Sequence, residues 1–203
     1  MSRPRRPRLT LLGIGAAASP RFPPAGLLIA HRGARVAIDG GPGAEPEAPV
    51  SAWLVTDERA ELMPAIRRTA RALGVTAAAR PFDADDLAIE PRPVVHTSHA
   101  AFGYRISAAG RTVVWAPEFL RFPEWAAGCD LMFAEAAAWS RPIRFAGGVG
   151  GHAPLLEVAD AARANGVRRL VFAHIGRPTI RALDRGEHPP FGEIGVVGRV
   201  YRP

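Results

Sequence analysis

The chain has 203 residues, 48% of them hydrophobic, with a formal net charge of +7. That length suffices for one ordinary domain with a sizeable core, and no run approaches the roughly 18 apolar residues of a membrane helix. The single cysteine, Cys129, excludes an intramolecular disulfide and a cysteine-built zinc site, and reads as a small buried hydrophobe.

All 26 basic residues are arginine, and four of them fall within the first eight positions. Residues 1–8 read as an arginine- and proline-rich arm that could touch nucleic acid through non-specific electrostatics or stay solvated. Residues 9–203 read as a single domain. The apolar stretch after the arm is broken by Gly13, Gly15 and Pro20, so no signal-peptide pattern is read and a cytoplasmic address is expected.

Arg8 to Leu12 reads as a strand. Residues 26–31 and 34–38 follow as a hairpin about His31-Arg32-Gly33-Ala34. Asp39 before Gly40-Gly41-Pro42-Gly43 is expected to fix a turn by bonding backbone amides. Residues 52–55 form an apolar strand leading into Thr56-Asp57-Glu58-Arg59. Leu62, Ile66, Ala70 and Leu73 share one helical face, so a helix is predicted over 60–73, capped by Thr56 or Asp57 and by Gly74.

Short strands and loops fill 75–95. Residues 102–106 and 112–116 form a hairpin about Ala109-Gly110. Residues 131–134 are a strand ending at Glu135. A helix over 154–164 and a strand over 169–173 follow, then a loop-rich tail with a final hairpin within 192–201. The order favours two sheets covered by helices. Polar residues recur just past strand ends at Asp39, Asp57, His96, Glu118, Glu135 and His174, the rim where sites sit in layered α/β folds. His31 and His188 read as surface residues, and the four tryptophans as core or pocket wall.

Gly150-Gly151-His152 opens the 154–164 helix, and the strand after it delivers His174. One α/β unit thus brings two imidazoles to the same end. Histidine is a common metal ligand and acid–base group.

The ordered set Leu12–Gly15, Leu27–Ile29, Val36–Gly43, Ala52–Thr56, Val95-His96, Gly103–Ile106, Val113–Glu118, Asp130–Glu135 and His152–His174 resembles the metallo-β-lactamase-fold hydrolases, closest in flavour to ribonuclease Z and related phosphodiesterases. The resemblance implies a four-layer αββα sandwich. It also implies two metal ions held mainly by His-x-His-x-Asp-His after the strand ending in Thr.

Here that block reads Asp57-Glu58-Arg59-Ala60-Glu61-Leu62, without a histidine. His96 (or His99), Glu118 and His174 match the later ligands, and His152 matches a histidine that assists catalysis. In an extended segment His96 and His99 point to opposite faces, so His96 is preferred. An arginine where a ligand should stand repels a cation, so a two-zinc centre is not expected.

Two readings stay open. In the first, His96, Glu118, His174 and Asp57 or Glu61 hold one divalent ion, zinc, manganese or iron. His152 is then the general acid, Asp57 a further catalytic carboxylate and Glu135 the group orienting the site, in a hydrolase of a phosphoester or similar. In the second no metal binds. An ion-pair network of Asp57, Glu58, Arg59 and Glu61 fills the site, and the protein is a non-catalytic relative binding a small anionic ligand or partner.

Overall fold

The computed structural model describes residues 6–47 and 49–203. Residues 1–5 of the expected arm lie outside them; Arg6 donates to the Pro203 carbonyl at 2.6 Å.

In chain order the elements begin with β1 (Arg8–Gly13), β2 (Gly26–His31), β3 (Ala34–Asp39) and β4 (Ala52–Leu54). Helix α1 (Met63–Ala72) leads to β5 (Ala77–Ala78), β6 (Phe82–Ala84), β7 (Leu87–Val94), β8 (Ala101–Ala108) and β9 (Arg111–Ala116). Then come β10 (Leu131–Ala136), β11 (Ile143–Arg144), β12 (Gly151–His152), α2 (Leu155–Ala164), β13 (Leu170–Ile175), α3 (Arg177–Asp184), β14 (Glu193–Ile194) and β15 (Val200–Tyr201).

Two large sheets result, ordered β15-β1-β2-β3-β4-β5 and β14-β13-β10-β9-β8-β7-β6. Their inner faces enclose the main core, which includes Leu9, Leu27, Ile29, Tyr104, Trp115, Phe133 and Phe172. Strands β9, β10, β13 and β14 pair in parallel, and the fully buried β10 and β13 read as near-continuous apolar runs, as strands covered on both faces do. Leu155, Val158 and Ala162 turn α2 onto this core. On the other side, Met63, Ile66 and Ala70 of α1 close a second cluster with Leu28, Ala37 and Trp53. The layers are helix, sheet, sheet and helix, the sandwich anticipated from the resemblance.

Several local expectations are corrected. Helix α1 starts at Met63, with Leu62 rather than Thr56 or Asp57 before it and no side-chain cap. Pro64 presets the first turn, and Gly74 ends the helix at φ +75° as expected. The tail does not form a hairpin: β14 joins the second sheet beside β13, whereas β15 joins the first beside β1. His31 is buried, not on the surface, and its Nε2 lies 2.7 Å from Asp86 Oδ1. Asp39 bonds across to other strands instead of to its own turn: Oδ1 accepts from the Thr56 amide (2.7 Å) and hydroxyl (3.0 Å), and Oδ2 from Trp115 Nε1 (2.7 Å).

The rim is held to one shape by bonds between the layers. Tyr104 donates its hydroxyl to the Val55 carbonyl, and the Phe102 amide donates to Thr56. The loop after β1 is tied to the end of β13, where Ala16 donates to the Ile175 carbonyl and Ile175 to that of Ile14.

Candidate active site

The site grows from a bulge in the second sheet. Ala134 pairs with Phe172 and Ala136 with Ile175, so Glu135 alone opposes Ala173 and His174. His174 takes φ +67°, a left-handed conformation unusual for a residue with a side chain. Bulges of this kind re-aim side chains next to sites. Here the bulge sends both Glu135 and His174 to the rim.

Glu135 is fully buried. A buried carboxylate is costly unless its oxygens are bonded, and this one accepts four bonds. Oε1 takes the Ala137 amide (2.7 Å) and His174 Nδ1 (3.1 Å); Oε2 takes the Phe119 amide (3.2 Å) and His152 Nδ1 (2.7 Å). Burial pushes its pKa up, but the facing imidazoles of His174 and His152 outweigh burial and hold it below the ordinary value. An ionised carboxylate only accepts, so both rings carry their proton on Nδ1 toward it.

His96 follows the same rule by another route, with Nδ1 donating to the Gly151 carbonyl at 3.0 Å. Gly150 permits this approach, because a Cβ there would stand 1.9 Å from the His96 carbonyl oxygen. The three rings lie in a row, with centroids 4.9 Å apart from His96 to His152 and 5.2 Å from His152 to His174. Phe145 meets His96 and His152 edge-on at 5.4 Å each.

Glu118 faces the row. Its Oε1 lies 2.7 Å from His174 Nε2 and its Oε2 lies 3.4 Å from His96 Nε2. Burial disfavours charge on both partners. The attraction of Glu118 and Glu135 nonetheless raises the His174 pKa, while His174, His96 and His152 lower that of Glu118. Without an ion the pair is therefore imidazolium and carboxylate.

A cavity of about 430 Å³ opens beside these groups, and its lining includes His96, Glu118, His152 and His174 and residues of the 56–66 segment. Asp57 is buried there, with both oxygens 2.9 Å from His99 Nε2 and Oδ1 also accepting the Arg59 amide at 2.7 Å. Arg59 and Glu61 are exposed residues of the lining, and Leu62 supplies hydrocarbon. The structure thus brings His96, Glu118, Glu135, His152 and His174 together. Asp57 sits apart with His99, and Glu61 makes no hydrogen bond or ion pair among the described residues.

His99 is a functional candidate that the preference for His96 set aside. Residues 95–99 are bends rather than extended chain, so both histidines reach the cavity. Phe145 carried no sequence signal beyond the Gly147-Gly148 turn that follows it.

Donor atoms of Glu135, His152 and His174 all lie within 4.8 Å of one another, a cluster able to hold an ion by distance alone. The hydrogen bonds argue for a different use of Glu135. Its four bonds occupy both oxygens, whereas the Nε2 atoms of His96 and His174 meet Glu118. Metal-bound histidines characteristically give their other N–H to a carboxylate or carbonyl, which is the arrangement of all three rings here.

The family profile described as "Beta-lactamase superfamily domain" matches residues 25–175. The chain matches no curated protein by sequence. Among solved structures it is similar to the metallo-β-lactamase fold protein YhfI from Bacillus subtilis, with a TM-score of 0.74, 15% identity, and coverage of 98% of this chain and 100% of that one. It is similar to a diphosphatase of the PhnP family (TM-score 0.74, 17% identity, coverage 97% and 98%). It is also similar to the short form of human tRNase Z (TM-score 0.65, 14% identity, coverage 96% and 98%). At such identities the likeness speaks for the fold alone.

Proposed function

Because the chain belongs to the β-lactamase superfamily and has the metallo-β-lactamase fold, we propose that it is a hydrolase assisted by at most one divalent ion and acting on a phosphoester or similar ester bond. The observation that carries this reading is the anchored row of imidazoles facing Glu118. His96 and His174 each have Nδ1 committed to the protein and Nε2 directed at the same carboxylate.

The residues present fit one ion at Glu118, with His174 and His96 as imidazole donors. They do not fit a second. Leu62 offers no donor atom, Arg59 is itself a cation, and both Asp57 oxygens are engaged by His99. Glu58 accepts from the Ala79 amide at 2.8 Å and does not line the cavity, which leaves Glu61, exposed in the lining, as the further carboxylate of that block. The donor set of imidazole and carboxylate suits zinc, manganese or iron. When bound, such an ion polarises the scissile group and acidifies water.

The chain's own groups do the rest. Glu135 Oε2 accepts from His152 Nδ1 at 2.7 Å, which sets that ring's tautomer and orientation. His152 Nε2 then delivers a proton to the departing oxygen. Phe145, edge-on to His96 and His152, keeps water from that side of the rings.

The second reading, a non-catalytic relative that binds a small anion, is favoured by one observation. His174 and Glu118 already neutralise each other at 2.7 Å. Metal analysis of untagged protein, with a panel of phosphodiester and ester substrates, separates the two. Less than about a tenth of an equivalent of any transition metal after reconstitution, with no turnover, selects the second.

The proposed setting is cytoplasmic and the proposed partner a small-molecule or phosphoester substrate. Nucleic-acid contact through the arginine arm predicts salt-sensitive binding lost on deleting residues 1–8. Among the described residues no helix is long and apolar enough to cross a membrane.

A further inference from the structure

The cavity beside the histidine row has two characters. Part of its lining is hydrocarbon. Met63 and Ile66, at the start of α1, are buried against it, Leu62 is half-buried beside them, and Ala17 lies on the loop after β1. Phe145 extends the apolar surface up to the rings of His96 and His152. A pocket of about 430 Å³ with such walls has the size and lining of a small-molecule site.

Its charge is the second character. Four carboxylates line it, those of Asp39, Asp57, Glu61 and Glu118, against Arg59 and, when no ion is bound, the His174 imidazolium. A single divalent ion brings this lining close to neutrality but leaves no surplus positive charge. Burial raises Asp39 to about 7, which removes at most one of the negative charges near neutral pH. Sites for phosphate esters need the opposite, a surplus of cations or of amide donors aimed at the anion.

We infer that this cavity takes an uncharged carboxylic ester with a compact aliphatic or aryl group, seated against Leu62, Met63 and Ile66, and disfavours phosphate anions. The inference rests on the hydrolase reading for its chemistry, replaces the phosphoester in that reading by a carboxylic ester, and rests on the cavity alone for its ligand class. In the reaction, a water oxygen bonds to the acyl carbon and the acyl C–O bond breaks. The departing alkoxide takes a proton from His152 Nε2, and the proton lost by the water restores that ring.

The test compares 4-nitrophenyl butyrate with bis(4-nitrophenyl) phosphate on metal-reconstituted protein, each rate divided by its uncatalysed rate. Alongside, saturation-transfer NMR measures binding of N-phenylbutanamide, an uncharged probe, and of phenyl phosphate. The enhancement for the butyrate should exceed that for the phosphodiester by at least about tenfold, and only the anilide should bind. Leu62→Ala should move the preferred acyl chain to a longer one. Ala17→Arg should shift the ratio toward the phosphodiester by about tenfold.

Equal or greater enhancement for the phosphodiester overturns the ligand class and leaves the hydrolase reading standing. Preferential binding of phenyl phosphate does the same. Anilide binding without any turnover supports the ligand class and overturns the hydrolase reading. Absence of binding by either probe overturns the ligand class.

Discussion

Glu135 and His174 face each other across a β-bulge, with Oε1 3.1 Å from Nδ1, and the same carboxylate holds His152 through its other oxygen. One buried acid thereby sets the orientation and tautomer of two rings on different strands.

Replacing that acid tests this arrangement. Glu135→Gln keeps the shape but puts an amide N–H against one ring N–H and one backbone amide, while its remaining oxygen still accepts from the other two. We expect a loss of stability of about 3 kcal/mol, because a buried ionic network is broken at one member. Metal affinity should drop by about 10- to 100-fold. Denaturant unfolding and metal titration of the same preparation read both. Unchanged metal affinity would mean that Glu135 does not orient the rings.

His174 gives the pH dependence. Its folded pKa lies above the ordinary 6.5, burial being outweighed by Glu118 and Glu135, while that of Glu118 lies below the ordinary 4.5. For the imidazole, the stabilisation is complete below 6.5 and is lost as pH rises through the folded value. For the carboxylate, it is complete above 4.5 and is lost as pH falls through the folded value. Metal-free protein should therefore be most stable between 4.5 and 6.5 and weaken on the alkaline side, where the native state binds more protons than the unfolded chain. Thermal unfolding from pH 4 to pH 9, with metal excluded, checks the sign.

Metal binding competes with the same proton. An ion at Glu118 displaces it from His174 Nε2, so affinity should rise with pH and about one proton should be released. Calorimetry in two buffers of different ionisation enthalpy counts it. Zero release means that the ion binds without His174.

His99→Ala separates a structural partner from a ligand. It leaves the Asp57 carboxylate buried without its 2.9 Å partner, at a cost of about 1–3 kcal/mol. Metal stoichiometry should stay the same, because neither residue touches Glu118 or His174. A fall in stoichiometry places Asp57 or His99 among the ligands.

His152→Ala tests the proton donor. With a substrate that is turned over, we expect kcat to fall by about 10²- to 10⁴-fold, with metal content unchanged. The loss should shrink for substrates whose leaving group needs no proton. An equal loss for all leaving groups points to a packing role beside His96 and His174.

Much of the fold was legible because it is written in local periodicity. The strands at 26–31 and 34–38 with a two-residue turn, and the helix over 154–164 before an apolar strand, follow from spacing and turn chemistry. The tail departs from the expected hairpin because pairing partners are not local. Residues 193–194 and 200–201 are close in sequence, yet each finds an open edge on a different sheet.

By itself the sequence determined which chemistry the chain carries to the rim. It places His152 and His174 at one end of an α/β unit, and it puts Asp57-Glu58-Arg59-Ala60-Glu61-Leu62 after β4 where the family pattern has ligands. Only the tertiary structure decided how those groups are used. Whether an imidazole nitrogen is anchored or free depends on atoms far away in the chain: the Gly151 carbonyl for His96, Glu135 for His152 and His174. The same holds for Asp57, committed to a histidine 42 positions later. Hydrogen bonds of this range form only once the sheets have stacked, so no local pattern could announce them.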